Sequence, residues 1–300
     1  MESDSRPAGG PLPTEAPGDP SLGETLRAAD RALSGVSFGR LTAEALLAHV
    51  LGISRAQVLA RLEQPFPPRL RPALESLIAR AAEGEPLGYL TGRREFCGLD
   101  FSVDGRVLVP RPETEQLAER GLEFLEGLPA RPGGWRVYDV GTGSGNLAVT
   151  LAVKCAAAKI IASDISAEAL VVARANAVRH QVAGQIVFVQ SDLLSAFRPR
   201  ACDLLVANLP YIPSATLRSL AVSKHEPPLA LDGGPDGLEL YRRLLADAPR
   251  VMEAGGQLLL EIEDTRGRAA RELAQAAFPH AHVALHPDLA GLDRVVDIAL

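Results

Sequence analysis

An α/β protein, with a doubly wound and mostly parallel sheet behind a small helical domain, is what this 300-residue sequence predicts. Three observations carry that expectation. From residue 136 onward, apolar runs of strand length alternate with helical patterns, as in a sheet covered on both faces. The first of those runs ends in Gly141-Thr142-Gly143-Ser144-Gly145, a glycine turn that leads into a helix. Residues 21–84, by contrast, show helical periodicity four times over, each stretch with its own start or stop signal.

In the helical part, Ser21-x-x-Glu24 is a capping-box pattern, and Leu22, Leu26, Ala29 and Leu33 recur on one face before Gly35. Thr42 opens a second run, with Leu46, Leu47, Val50 and Leu51 buried and Gly52 as the stop. Ser54-x-x-Gln57 opens a third, carrying Val58, Leu59 and Leu62. After Pro65, Pro67 and Pro68, a fourth places Leu74, Leu77, Ile78 and Ala81 together and closes at Gly84. Short connections predict a small bundle over 21–84, read either as a stabilising cap or as a partner-docking module.

Residues 85–112 read as a linker. Glu85 to Gly92 is turn-rich, and Phe96, Leu99, Phe101 and Val103 lead to Val107-Leu108-Val109 across an Asp104-Gly105 turn signal, which predicts a β-hairpin. Pro112 suits the first position of a helix, and Glu113 and Glu115 suit its first turn. The body, 113–300, carries strand candidates at 136–140, 160–163, 186–190, 203–207 and 257–262. Helices are expected at 147–155, 167–177, 238–246 and 268–277. Two late strands, 282–285 and 295–299, complete seven, the last a candidate for antiparallel pairing.

Composition narrows the function classes. Hydrophobic residues make up 47% and charged residues 23%, enough for a sizeable core in an ordinary globule. A net charge of -6 argues against a protein that grips bare nucleic acid, which rests on Lys/Arg contacts to phosphate. Cys97, Cys155 and Cys202 are odd in number and lack Cys-x-x-Cys spacing, against a disulfide framework or a zinc site and in favour of a reducing compartment. No stretch approaches the ~20 apolar residues that span a bilayer. Residues 1–20, acidic and rich in Pro and Gly, read as a disordered leader rather than a targeting peptide.

The chemistry gathers at strand ends. Glycines let the backbone approach a ligand, and the helix start after Gly145 offers free N–H groups. A dinucleotide fingerprint would need glycine at 146, where Asn146 stands. Asp164 ends the next strand, placed to accept both hydroxyls of a ribose. Asp192, beside Leu193, ends the third and is a candidate for an adenine amino group. Asn208-Leu209-Pro210-Tyr211 follows the fourth, facing the glycine turn across the cleft. An amide nitrogen is a poor nucleophile because its lone pair is delocalised. Acceptors already aimed at its hydrogens, the Asn208 side-chain oxygen and a backbone carbonyl beside Pro210, stabilise the positive charge that grows on attack. Tyr211 can stack on the planar group.

The Asp139-x-Gly141-x-Gly143-x-Gly145 pattern resembles motif I of class I S-adenosylmethionine-dependent methyltransferases. Asn208–Tyr211 resembles the Asn/Asp-Pro-Pro-Tyr/Phe signature of those that methylate planar nitrogens. Together with 85–92, Pro110-Arg111-Pro112-Glu113-Thr114-Glu115 and 225–238, the chain resembles the PrmC/HemK family of protein-(glutamine-N5) methyltransferases over 21–300. That resemblance implies a Rossmann-like, seven-stranded class I fold behind a helical bundle and hairpin linker. It implies S-adenosyl-L-methionine, held by Gly141, Thr142, Gly143, Ser144, Gly145, Asp164, Asp192, Leu193 and Asn208, and no metal. It further implies the Gly-Gly-Gln glutamine of peptide chain release factors as substrate, bound by Asn208, Leu209, Pro210 and Tyr211. A cytoplasmic monomer that touches neither nucleic acid nor membrane is expected. Leu209 departs from the family's usual proline, Leu193 from a frequent aromatic, and 261–264 lacks a glycine that often follows that strand. Alternatives are a glutamine methyltransferase for a ribosomal protein, a nucleic-acid amino-group methyltransferase, and a silent module that binds without turnover.

Overall fold

The computed structural model describes residues 19–129 and 132–300; most of the expected leader lies outside them. The chain divides into two compact units, Met1–Thr91 and Gly92–Leu300.

In the first unit, the Ser21 hydroxyl accepts from Glu24 N at 3.1 Å and the Glu24 carboxylate accepts from Ser21 N at 2.8 Å, the reciprocal box that starts α1 (Leu22–Ala32). The second helix, α2 (Gly39–Leu51), begins three residues before the expected Thr42. A Cβ at Gly39 would lie 2.3 Å from the Leu33 carbonyl oxygen, so the glycine lets the chain double back that early. Gly52, at φ 67°, ends it, and Ser54 with Gln57 forms a second box at α3 (Arg55–Leu59). A turn at Pro68–Leu70 leads to α4 (Arg71–Ala82). The turn-rich stretch is instead a short helix, α5 (Leu87–Thr91), because Leu90 is buried in the bundle core with Leu26, Leu46 and Phe66.

The second unit opens with the hairpin β1 (Arg93–Phe96) and β2 (Leu99–Ser102). Its turn is Cys97-Gly98, not the expected Asp104-Gly105, and 107–109 forms no strand. A type I′ two-residue hairpin turn needs left-handed backbone at both positions. Cys97 (φ 51°) and Gly98 (φ 81°) supply it, while the Asp104 carboxylate is occupied by Arg106 N at 3.0 Å and the Arg106 guanidinium. Phe96 and Phe101 pack edge to face across the pair, 6.1 Å apart, and are fully buried.

A turn at Pro112–Thr114 leads into α6 (Glu115–Gly127). The alternation then runs β3 (Trp135–Val140), α7 (Asn146–Lys154), β4 (Ala158–Asp164), α8 (Ala167–Arg179), β5 (Ile186–Gln190) and β6 (Cys202–Ala207). It continues with α9 (Ser214–Leu217), α10 (Glu239–Val251), β7 (Met252–Glu261), α11 (Gly267–Ala277), β8 (His282–Pro287) and β9 (Asp293–Ala299). The sheet order is β5-β4-β3-β6-β7-β9-β8, with β9 antiparallel to both neighbours, as expected of the last strand. Val137, Leu204, Val206 and Leu259 face α6 and α7; Tyr138, Leu205, Leu258 and Leu260 face α10 and α11. Every residue of β6 is buried, which is why its sequence reads as a continuous apolar run. Strand order reverses between β3 and β6, and their carboxyl ends open there.

Candidate active site

Asp139, the last residue but one of β3, is fully buried. Its Oδ2 accepts from the Thr142 hydroxyl at 2.6 Å and from Ala148 N at 3.0 Å, which pins the turn to the first turn of α7. Burial pushes its pKa up to about 7. Gly141 N and Thr142 N both donate to the Ser163 carbonyl at 2.8 Å. The three turn glycines have different constraints. A Cβ on Gly141 would sit 3.1 Å from Leu209 Cδ2, and one on Gly145 would sit 3.0 Å from Ala173 Cβ. Gly143, at φ 54°, has nothing within 4 Å, so its face is open to a ligand.

Asp164 ends β4 beside that open face. Its Oδ2 accepts from Gly143 N and its Oδ1 from Ser166 N, each at 2.9 Å. A carboxylate offers about four acceptor positions, so capacity remains. Burial raises its pKa even against the backbone N–H groups of Ser166, Gly143 and Ile165. Asp192 is half-exposed and paired with Arg243 of α10 at 2.6 Å. Leu193 adopts φ 46° and packs against the core.

Asn208 leaves β6 with its Nδ2 donating to the Thr114 hydroxyl at 3.0 Å, which turns its side-chain oxygen away from that contact. Leu209 is buried against Gly141, so the departure from proline fills space beside the glycine turn. Tyr211 is largely enclosed, and burial pushes its pKa up to about 12.

A cavity of about 600 Å³ joins these pieces. It is lined by Gly141, Thr142, Gly143, Ser144, Asp164, Asp192, Leu193, Asn208, Leu209 and Pro210. Of the residues expected at the site, Gly145 and Tyr211 are not on its wall; Gly145 serves helix packing, and Tyr211 lines a smaller adjoining pocket with Arg111 and Asn208. Three further residues are not apparent from motif reading. Thr114 anchors Asn208. Glu226, almost fully buried, accepts from Arg111 Nη2 at 2.6 Å and from Val109 N at 3.3 Å, tying 107–111 to the 225–238 segment. Glu261, at the end of β7, is buried next to Asn208. Segment 231–237 braces the tetrapeptide: Gly233 N donates to the Ile212 carbonyl at 2.8 Å, and a Cβ on Gly237 would lie 2.3 Å from the Tyr211 carbonyl oxygen.

A seven-stranded sheet in this order, with a glycine turn after β3 and an acid at the end of β4 on one cavity, defines a class I S-adenosylmethionine-dependent methyltransferase. Residues 24–92 match the PrmC N-terminal domain family and residues 121–285 the methyltransferase small domain family. The release factor glutamine methyltransferase of Moorella thermoacetica is 42% identical over 275 residues, covering 91% of this chain and 95% of its own. That of Chlorobaculum tepidum is 41% identical over 263 residues, covering 85% and 88%. The chain belongs to the release factor glutamine methyltransferase family. Among solved structures, the hMettl16 catalytic domain in complex with an RNA hairpin shares the fold, at TM-score 0.51 and 15% identity over 74% of this chain and 81% of that one. Among the described residues, no helix is long and apolar enough to cross a membrane, and no cluster of His, Cys, Asp or Glu could hold a metal ion.

Proposed function

We propose that this chain methylates the side-chain amide nitrogen of the Gly-Gly-Gln glutamine in peptide chain release factors, using S-adenosyl-L-methionine. The observation that carries the reading is the anchored Asn208 amide, held by Thr114 on the wall of the cavity that the glycine turn and Asp164 also line. The open face of Gly143 and the unused acceptor capacity of Asp164 fit a ribose-bearing cofactor there. When bound, S-adenosyl-L-methionine would supply an electrophilic sulfonium methyl to the amide nitrogen, whose proton would pass to solvent.

The rest falls to the protein. Asn208 Oδ1 and the Leu209 carbonyl accept the two N–H bonds of the glutamine amide and place its nitrogen lone pair toward the methyl. They also stabilise the charge that grows on nitrogen. Tyr211 supports the planar amide from the adjoining pocket. Gly141, Thr142 and Ser144 would take the amino-acid end of the cofactor, Asp164 the ribose, and Asp192 with Leu193 the adenine. The matches of its relatives favour a release factor over a ribosomal protein or nucleic acid. The first unit, which matches the PrmC N-terminal domain family, docks the body of the factor. The reading entails a cytoplasmic enzyme that acts as a monomer.

The test is incubation of the full chain with labelled S-adenosylmethionine and a purified release factor, followed by mass spectrometry. One methyl on the Gly-Gly-Gln glutamine is expected. Label on another residue, or none, would overturn the reading.

A further inference from the structure

Glu261 is 1% exposed, and neither of its carboxyl oxygens makes a hydrogen bond of ordinary geometry. A buried acid without firm partners is costly, so its place calls for a reason. Strand register supplies the setting. Ala207 of β6 is paired with Leu260 of β7, so the residues that follow, Asn208 and Glu261, are neighbours at the carboxyl ends of two adjacent strands. Thr114 lies with them, fully buried, and receives the Asn208 amide.

We propose that Glu261 is a positioning residue that sets which way the Asn208 amide faces, acting through the Thr114 hydroxyl. The proposal rests on the methyl-transfer reading above. A hydroxyl has one proton and two acceptor positions. When Glu261 is ionised it can only accept, so the Thr114 proton turns to it and Thr114 Oγ1 is left as an acceptor for Asn208 Nδ2. Asn208 Oδ1 then faces the site, as an acceptor for substrate N–H. When Glu261 is protonated, its own O–H can donate to Thr114. The Thr114 proton is then free to turn to Asn208, and the carboxamide is free to flip and present N–H to N–H. The ionised state also places a negative charge behind the acceptor that must stabilise a developing cation.

The surroundings keep that carboxyl near the balance point. Burial, first, raises its pKa to about 7, and Glu113 adds to the rise. The Thr114 hydroxyl, Arg294 of β9 and the Asn208 amide oppose it. Tyr211 and Tyr241 of α10 face the same space, and both feel the Glu261 charge. On α6, the Glu115 carboxylate is directed elsewhere, to Cys97 N at 3.0 Å. Arg294 is shared with Asp288, at 3.1 Å, so it does not neutralise Glu261 alone.

The experiment measures methyl transfer to release factor by the full chain from about pH 6 to about pH 8, with wild type, Glu261→Gln, Thr114→Val and the double variant. Wild-type kcat should rise through neutrality. Glu261→Gln should lose roughly tenfold in kcat at the upper end and lose the inflection, with KM for S-adenosylmethionine and thermal stability held within about twofold and a few degrees. The double variant should be no worse than the worse single one, as expected of a shared path. An unchanged kcat and pH profile in Glu261→Gln, or losses that simply add in the double variant, would overturn the proposal. Wild-type methylation at some other nitrogen would instead sink the function reading, and the comparison between variants would still be read on that nitrogen.

Discussion

The backbone N–H of Gly143 donates to Asp164 Oδ2 at 2.9 Å, so the turn after β3 and the acid that ends β4 fix each other's position. Asp164 also holds Ser166 N, at the cap of α8. The same carboxylate therefore shapes the glycine turn and, on the proposed reading, is the one that would hold a ribose. Asp164→Ala should weaken S-adenosylmethionine binding by roughly tenfold or more, since each hydrogen bond to a charged group contributes about 1.5–3 kcal/mol. Calorimetry checks this; an unchanged dissociation constant would refute the ribose role.

Asn208 gives a contrasting prediction. It lines the same cavity as Asp164 but is anchored by Thr114, not by the glycine turn. Asn208→Ala should abolish methyl transfer, with kcat falling by about a hundredfold or more, as for loss of a preorganised acceptor. Cofactor affinity should change far less. Single-turnover assays beside calorimetry separate the two, and near-normal turnover would contradict the role assigned to the amide.

How much of this was legible in the sequence follows from how local each signal is. The Ser21 and Ser54 boxes lie within four residues and form as read. Strands β3 and β6 are apolar because both faces are covered, so their runs stand out. The hairpin turn was misplaced because Asp104-Gly105 carries the familiar signal, whereas Cys97 gives no hint that it adopts φ 51°. Glycine turn, Asp164 and tetrapeptide could be found because each sits at a strand end. Thr114, Glu226 and Glu261 could not, since Thr114 meets a partner 94 residues away, Glu226 one 115 away, and Glu261 a neighbour on an adjacent strand, contacts that exist only once the sheet order is set.

Asp139 should make stability depend on pH. Its carboxyl is buried, with one oxygen unpartnered, and its folded pKa is raised to about 7 from an ordinary carboxylate value. The folded state then holds a proton that the unfolded state has lost, so stability is fullest in acid and falls as pH rises toward about 7. Glu261 acts with the same sign. Asp139→Asn keeps an acceptor for Thr142 and Ala148 and removes the charge. Its melting temperature should fall less than that of wild type between about pH 5 and about pH 8. A parallel pair of curves would show that Asp139 is not the titrating group.

Arg111 and Glu226 form an ion pair whose two ends are unequally buried. The Glu226 side chain is 1% exposed and that of Arg111 34%, so only the acid is fully removed from water. Removing Arg111 leaves a buried carboxylate with the 3.3 Å contact from Val109 N, whereas removing Glu226 leaves a guanidinium that can reach solvent. Breaking a buried pair from the arginine side costs about 3–5 kcal/mol, so Arg111→Ala should destabilise the chain more than Glu226→Gln does. Both should loosen 107–111 from 225–238 and raise KM for release factor, because those two segments wall the pockets on either side of Asn208. Denaturant titration orders the two variants, and steady-state assays read KM. If Glu226→Gln proves the more damaging in stability, the pair is held by packing around the acid rather than by its charge.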